Sequence, residues 1–132
     1  MSAIKPNATA FAQLAAEADA KSGPVVMLNL LKFKEQADGD EVSGRESYNR
    51  YGRDVKPMVE KLGGRILWHG KADQLLIGDE EWDSIALVEY PSRKAFIEMA
   101  TSQQMNDIHH NREAGLERTV LIACTELGGD EV

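Results

Sequence analysis

The nine residues Val25-Val26-Met27-Leu28-Asn29-Leu30-Leu31-Lys32-Phe33 decide the fold class of this chain. Apolar side chains occupy both alternating sets of positions, and two β-branched valines begin the run, which is typical of a strand buried on both faces. Asn29 interrupts the run, and a buried amide needs a hydrogen-bond partner. Asn29 therefore either orients a ligand at the floor of a cleft or bonds to neighbouring backbone or across a dimer.

Helix and strand signals follow this run in a regular order. Ser43 caps a helix that ends at Gly63-Gly64, and Ser92 caps a second helix, followed by a short helical segment that begins at Ser102. Strands are predicted at 65–69, with an alternative extension through 75–77, at 82–90 and at 119–125. The order β-α-β-β-α-β predicts an α+β, ferredoxin-like fold: two helices on one face of a four-stranded antiparallel sheet, with the first and third strands central.

The length of 132 residues suits one domain. We assign residues 23–128 to the ferredoxin-like domain and residues 1–22 to an N-terminal helical appendage. Phe11, Leu14, Ala15 and Ala18 form one stripe of that helix, with Asn7 or Thr9 as its cap.

Composition excludes several classes of function. Fifteen Lys and Arg against 22 Asp and Glu give a net charge of −7, which argues against nucleic acid or an anionic membrane as partner. One cysteine, Cys124 in the last predicted strand, excludes an internal disulfide. The sequence has no apolar stretch of membrane-spanning length and no signal-peptide pattern at its start, so we expect a cytoplasmic protein.

The predicted strands are apolar on both faces, whereas two helices cover only one face of such a sheet. The uncovered face needs a partner, and the simplest one is a second copy of the same chain. The sequence therefore predicts a homodimer through sheet-to-sheet packing.

Several short motifs resemble one known family. They are the strand at 25–31, Ser43-Gly44 with Tyr48 and Tyr51, Leu62-Gly63-Gly64-Arg65, Trp82-Asp83, Glu89-Tyr90-Pro91-Ser92, and His110 through Leu116. Over roughly residues 24–126 the chain resembles the dimeric α/β-barrel superfamily of ferredoxin-like domains and, within it, the uncharacterised family called domain of unknown function 1330. The resemblance implies a small-molecule cleft between sheet and helices. It does not imply a reaction, because relatives in this superfamily range from cofactor-free monooxygenases and isomerases to haem enzymes and binding proteins.

Aromatic residues are the first candidates for such a cleft. Tyr48 and Tyr51 lie one turn apart on the same helix face, where they either bind or protonate an oxygenated ligand or pack in the core. Trp68 and Trp82 admit the same two interpretations, as walls of a pocket or as core residues.

Candidate polar groups lie near the end of the chain. His110 is predicted to act as a general acid or base, with Asp83 or Arg112 as charge partner, unless it is a solvated helix end. Arg112 is a candidate to bind an anionic group, or else forms a surface ion pair. His109 and Glu113 are four residues apart and could chelate a metal, but no ligand motif supports a metal site, and none is predicted.

Three hypotheses of function remain. The first is a small-molecule enzyme with cofactor-independent oxygenase or isomerase chemistry on an enolisable or phenolic compound. In it Tyr48, His110 and Asp83 are catalytic, and the ligand is bound by Asn29, Tyr51, Trp68, Trp82 and Arg112. The second is a non-catalytic, dimeric ligand-binding module, and the third is a structural homodimer. No Walker loop, dinucleotide-binding motif or nucleophile elbow occurs, and no cofactor is predicted.

Overall fold

The computed structural model describes residues 4–132, so residues 1–3 of the predicted N-terminal appendage lie outside the described part of the chain. The elements follow one another as α1 (Ala8–Glu17), β1 (Val25–Phe33), α2 (Gly44–Lys61), β2 (Arg65–Lys71), β3 (Ser84–Tyr90), α3 (Arg93–Ala100), α4 (Gln103–Gly115) and β4 (Leu116–Cys124).

The four strands form one antiparallel sheet in the order β2-β3-β1-β4. The first and third strands are therefore central, and the α+β, ferredoxin-like prediction is confirmed. Ser43 and Ser92 cap α2 and α3 by accepting hydrogen bonds from the backbone N–H groups of Glu46 and Ala95. Ser102 caps α4 in the same way, so the second helical stretch is divided into two helices.

Several strand boundaries differ from the prediction: β3 begins at Ser84 instead of residue 82, and β4 spans Leu116–Cys124 instead of 119–125. The alternative extension of β2 through Leu75-Leu76-Ile77 is wrong, because β2 ends at Lys71 and residues 72–83 form the connection to β3. Leu76 is 83% exposed and Ile77 is 94% exposed. Their apolar character mimics a strand in sequence, but neither side chain has a sheet surface to pack on.

The core lies between the sheet and the helices. Its buried side chains are Val25 and Met27 of β1, Val59 of α2, Tyr90 of β3, and Phe96 and Met99 of α3. Helix α1 begins at Asn7, whose side chain caps it, and packs Phe11 and Leu14 against this core.

Helices α2 and α4 meet at two glycines. A Cβ atom on Gly44 would lie 2.6 Å from the carbonyl oxygen of Gly115, and a Cβ on Gly115 would clash with the Gly44 backbone. The Lys34 N–H donates to the Gly115 carbonyl, and the Ser47 hydroxyl donates to the Asn111 carbonyl at 2.8 Å. This close approach fixes the start of α2 against the end of α4, and both helices contribute to the cavity described below.

The other face of the sheet is apolar and carries none of the described helices, which pack on the core side. Strand register places on this open face eight side chains, Val26, Leu28, Leu30, Trp68, Ile85, Leu87, Val120 and Ile122. Ile122 is 47% exposed and Trp68 is 53% exposed.

Candidate functional site

A cavity of about 810 Å³ lies between the sheet and the helices. Its floor is the helix-facing surface of the sheet, formed by Met27, Asn29, Ala86, Val88 and Leu121. The volume and the largely apolar floor are those of a small-molecule site.

Three tyrosines contribute phenol groups to the cavity. Tyr48 and Tyr51 come from successive turns of α2, with ring centroids 5.4 Å apart, and Tyr90 comes from the end of β3. Burial raises the pKa of all three phenols, and the neighbouring phenols raise the pKa of Tyr48 and Tyr90 further. At neutral pH all three are therefore protonated and able to donate a hydrogen bond.

Helix α4 supplies the charged wall. Met105, His109, Arg112 and Glu113 line the cavity, since residues at i, i+4, i+7 and i+8 share one helix face. Nδ1 of His109 lies 2.6 Å from Oε1 of Glu113. The Glu113 carboxylate lies beside Nδ1, which leaves the other ring nitrogen of His109 outside this pair.

The N-terminal segment closes one side of the cavity. Lys5, Pro6, Ala8 and Phe11 line it. The guanidinium of Arg112 donates to the Ile4 carbonyl at 2.6 Å, and Lys5 Nζ lies 3.5 Å from Glu113. The predicted appendage is thus part of the cavity wall.

Four of the eight predicted site residues line this cavity: Asn29, Tyr48, Tyr51 and Arg112. The amide of Asn29 donates to the Met27 carbonyl at 3.2 Å, which is the backbone bond expected as one alternative. Its side-chain oxygen remains on the cavity floor as an acceptor.

Two predicted catalytic residues are placed elsewhere. His110 is exposed and is not part of the cavity wall, so the prediction that it faces the cleft is wrong, and His109 faces the cavity instead. Adjacent helical residues point about 100° apart, so only one of the two histidines can lie on the cavity side. Asp83 accepts a hydrogen bond from the Phe33 backbone at 2.8 Å and lies 3.3 Å from Lys32 Nζ. Asp83 thus joins β1 to the start of β3 and is not paired with His110.

The two tryptophans also lie outside the cavity wall. Trp68 is on the open face because the register of β2 shifts between Ile66 and Trp68. Its ring packs over Gly70, where a side chain would clash with it. Trp82 precedes β3, and the guanidinium of Arg118 stacks over its ring with 5.0 Å between the charged carbon and the ring centroid. The prediction that these rings wall the pocket is therefore wrong.

Sequence reasoning missed His109 as a cavity residue, together with Tyr90 and Lys56. A signal for His109 is present in the sequence. Met105 is an apolar residue that faces the cavity, and the positions four and seven residues later on the same helix are His109 and Arg112.

Metal and membrane features complete the description of the site. Within residues 4–132, no group of three or more His, Cys, Asp or Glu side chains is arranged to hold a metal ion. None of the helices in the same range is both long and apolar enough to span a membrane.

Residues 38–125 match the protein family described as Domain of unknown function 1330. The chain belongs to this family. The matched span begins after β1, so it is shorter than the span of 24–126 over which the sequence resembles the family. A search of the curated proteins finds no match to the chain.

Solved structures agree with this assignment. The crystal structure of a protein of unknown function from Rhodopseudomonas palustris is 38% identical and superposes with a TM-score of 0.90, covering 98% of this chain and 100% of that one. A protein from Arabidopsis thaliana is 15% identical with a TM-score of 0.62, covering 81% of this chain and 99% of that one. A dabb family protein with a ferredoxin-like fold from Mesorhizobium loti is 14% identical with a TM-score of 0.53, covering 81% of this chain and 100% of that one. These last two likenesses extend to the fold alone.

Proposed function

We propose that this protein binds a small enolisable or phenolic compound in the cavity between sheet and helices and moves a proton on it without a cofactor. One observation supports this most strongly. The His109–Glu113 pair, with 2.6 Å between nitrogen and oxygen, lines the same cavity as three protonated phenols. A base beside several hydrogen-bond donors is the arrangement that removes a proton next to a carbonyl and stabilises the resulting oxyanion.

Each residue has a stated role in this proposal. The unpaired ring nitrogen of His109 takes the proton, and Glu113 stabilises the imidazolium that forms. The electron pair of a broken C–H bond moves to the carbonyl oxygen as the enolate forms, and that of a broken O–H bond stays on the phenol oxygen. In both cases the hydroxyls of Tyr48 and Tyr51 donate hydrogen bonds to this oxygen. Return of the proton to another carbon gives an isomerase, and reaction of the carbanion with dioxygen gives an oxygenase.

Exchange of the ligand proton with solvent tests the proposal directly. Enolisable ketones that raise the melting temperature are incubated with the protein in D₂O, and loss of the α-proton signal is followed by NMR. General base catalysis contributes about 10²- to 10⁴-fold to rates. We therefore expect His109→Gln to lower the exchange rate at least about a hundredfold while binding is retained.

His110→Gln is the matched control because it removes the adjacent, exposed imidazole. Equal loss of exchange in His109→Gln and His110→Gln would contradict the assignment of His109. Binding without exchange in the unmodified protein would favour the non-catalytic ligand-binding alternative. A cavity that takes none of the compounds would favour a structural homodimer.

We further propose that the open face packs against the same face of a second copy of the chain. The face is contiguous and apolar, and such patches on isolated chains mark interaction surfaces. Its charged rim holds both signs, with Arg65 Nε 3.1 Å from Glu89 and Lys32 Nζ 3.3 Å from Asp83. Two copies would therefore not repel one another there despite the net charge of −7 on each chain. Light scattering is expected to give twice the chain mass at micromolar concentration.

A further inference from the structure

The charges that line the cavity are opposite in balance to those of the whole chain. Among the described residues, the lining holds three basic side chains, Lys5, Lys56 and Arg112, and one acidic side chain, Glu113. The chain as a whole carries 22 acidic and 15 basic residues. A positive lining inside a negative protein favours an anionic ligand, because the field is concentrated in a concave, partly apolar site.

Of these three cations, Lys5 pairs with Glu113 and Lys56 is exposed, whereas Arg112 is partly buried and has no carboxylate within ion-pairing distance in the described chain. The nearby carboxylate of Glu113 is already shared by His109 at 2.6 Å and by Lys5 at 3.5 Å. Arg112 donates to the Ile4 carbonyl, which is neutral, and a guanidinium has five N–H donors. Its charge is therefore uncompensated within the cavity, and most of its donors have no protein acceptor in the described chain.

The nearest phenols are also donors. Arg112, Tyr48 and Tyr51 line the same cavity as the apolar floor. Burial raises the pKa of both phenols more than the positive charge of Arg112 lowers it, so both phenols are protonated. The Tyr51 hydroxyl donates to the Met105 sulfur at 3.9 Å, and a thioether is a weak acceptor. An oxygen anion would be a stronger common acceptor for the guanidinium and the two hydroxyls.

We propose that the natural ligand is a small carboxylic acid whose carboxylate binds Arg112 and whose apolar body lies on Met27, Ala86 and Val88. This inference rests on the proposed function, since it names the class of compound that the same cavity takes. Planar guanidinium matches planar carboxylate with two parallel hydrogen bonds, which neither an amide nor an alcohol can reproduce. Lys5 and Lys56 add attraction without a fixed geometry.

Matched acids and amides test the inference in the full-length chain. Isothermal titration compares 4-hydroxybenzoate with 4-hydroxybenzamide, and acetoacetate with acetoacetamide. Hydrogen bonds to charged groups contribute enough to change affinity about ten- to a hundredfold. We expect each acid to bind that much more tightly than its amide. Arg112→Gln should abolish the difference in affinity. Arg112→Lys should retain part of it, because lysine keeps the positive charge but cannot form the two parallel hydrogen bonds.

Arg53→Gln is the matched control, since Arg53 is 64% exposed on α2 and pairs with Glu46. It should leave the preference for the acid unchanged, whereas an equal effect of Arg53→Gln and Arg112→Gln would assign the preference to overall charge and overturn the inference. Equal binding of acid and amide by the unmodified protein would overturn the inference that the ligand is a carboxylic acid, and it would leave the proposed function standing. Binding of neither member of either pair would overturn both. Because the acid–amide comparison needs no variant, the test does not depend on whether Arg112→Gln folds.

Discussion

The carboxylate of Asp83 joins the end of β1 to the start of β3. It accepts from the Phe33 N–H at 2.8 Å and lies 3.3 Å from Lys32 Nζ, while its own N–H donates to the Leu31 carbonyl at 2.8 Å. Desolvation acts to raise the pKa of Asp83, but the Phe33 N–H and the Lys32 ammonium together outweigh it, and the pKa is lowered.

Asp83→Asn is therefore expected to lower stability in a pH-dependent way. A folded-state pKa below the unfolded value means that the contribution is fully present above the unfolded pKa, about 3.9, and is lost as the pH falls through the folded pKa. We expect Asp83→Asn to cost about 1–2 kcal/mol in the free energy of unfolding at pH 7. In urea titrations the difference in free energy of unfolding between the variant and the unmodified protein should become smaller below about pH 4. Asp73→Asn, at an exposed position of the 72–83 connection, is the control. A difference in free energy of unfolding that stays constant down to pH 2 would contradict the proposal that the ionised form of Asp83 stabilises the fold.

Side chains of the site differ in how far the sequence predicts them. Tyr48, Tyr51 and Asn29 were placed in the cavity because a strongly patterned helix and strand fix their faces. Polar residues surround both His109 and His110, so helix periodicity alone does not choose between them. The i+4 and i+7 relation to Met105 decides between them, since Met105 needs the buried side.

Helices α2 and α4 pack closely because glycines stand where they meet. A Cβ on Gly115 would clash with the Gly44 backbone and lie 3.2 Å from the Tyr48 N–H nitrogen. Since both neighbours are backbone atoms, the helices would have to separate. We expect Gly115→Ala to cost at least about 2 kcal/mol in the free energy of unfolding, as overpacking does. Thermal and urea melts provide the measurement.

The matched control is Gly52→Ala in the middle of α2. A Cβ there meets no atom within 4 Å, and Gly52 has ordinary helical backbone. Alanine is favoured over glycine in a helix by about 1 kcal/mol, so this variant should be stabilised by up to that amount. Destabilisation by both alanines to a similar extent would show that helix propensity or flexibility, not the α2–α4 contact, is the cause.

Strand β2 contains a register shift that the alternation of apolar and polar residues in the sequence does not predict. Ile66 pairs with Val88 on the helix-facing side, and simple alternation would put Trp68 on that side too. The register shift pairs Trp68 with Leu87 and moves its ring to the open face. A bulge of one residue reverses every later side chain of a strand, and neither composition nor periodicity locates it.

Topology at the scale of the molecule follows from local signals that agree with one another. Serine caps at Ser43, Ser92 and Ser102, the Gly63-Gly64 stop and strands of matched length leave few alternatives to the ferredoxin-like arrangement. Local signals do not reveal the cavity, because its walls come from all four helices and all four strands, which only the whole fold brings together.

The proposed dimer would bury the apolar open face of the sheet, so a charged side chain placed on this face should oppose association. Ile122 lies on the open face and pairs in register with Leu28 of the central strand β1. In a symmetric dimer each substitution acts twice. If burying a glutamate costs about 2 kcal/mol per copy, Ile122→Glu should raise the dissociation constant about a thousandfold.

Analytical ultracentrifugation over a hundredfold range of concentration measures this change. The unmodified chain is expected to remain dimeric, with a melting temperature that rises with concentration because association is linked to folding. Ile122→Glu is expected to sediment as one chain, with a lower melting temperature that is independent of concentration. Ala16→Glu adds the same charge at an exposed position of α1, a helix packed on the core side, and should stay dimeric. A single-chain mass for the unmodified protein at every concentration would refute the dimer, and the apolar open face would then need another partner.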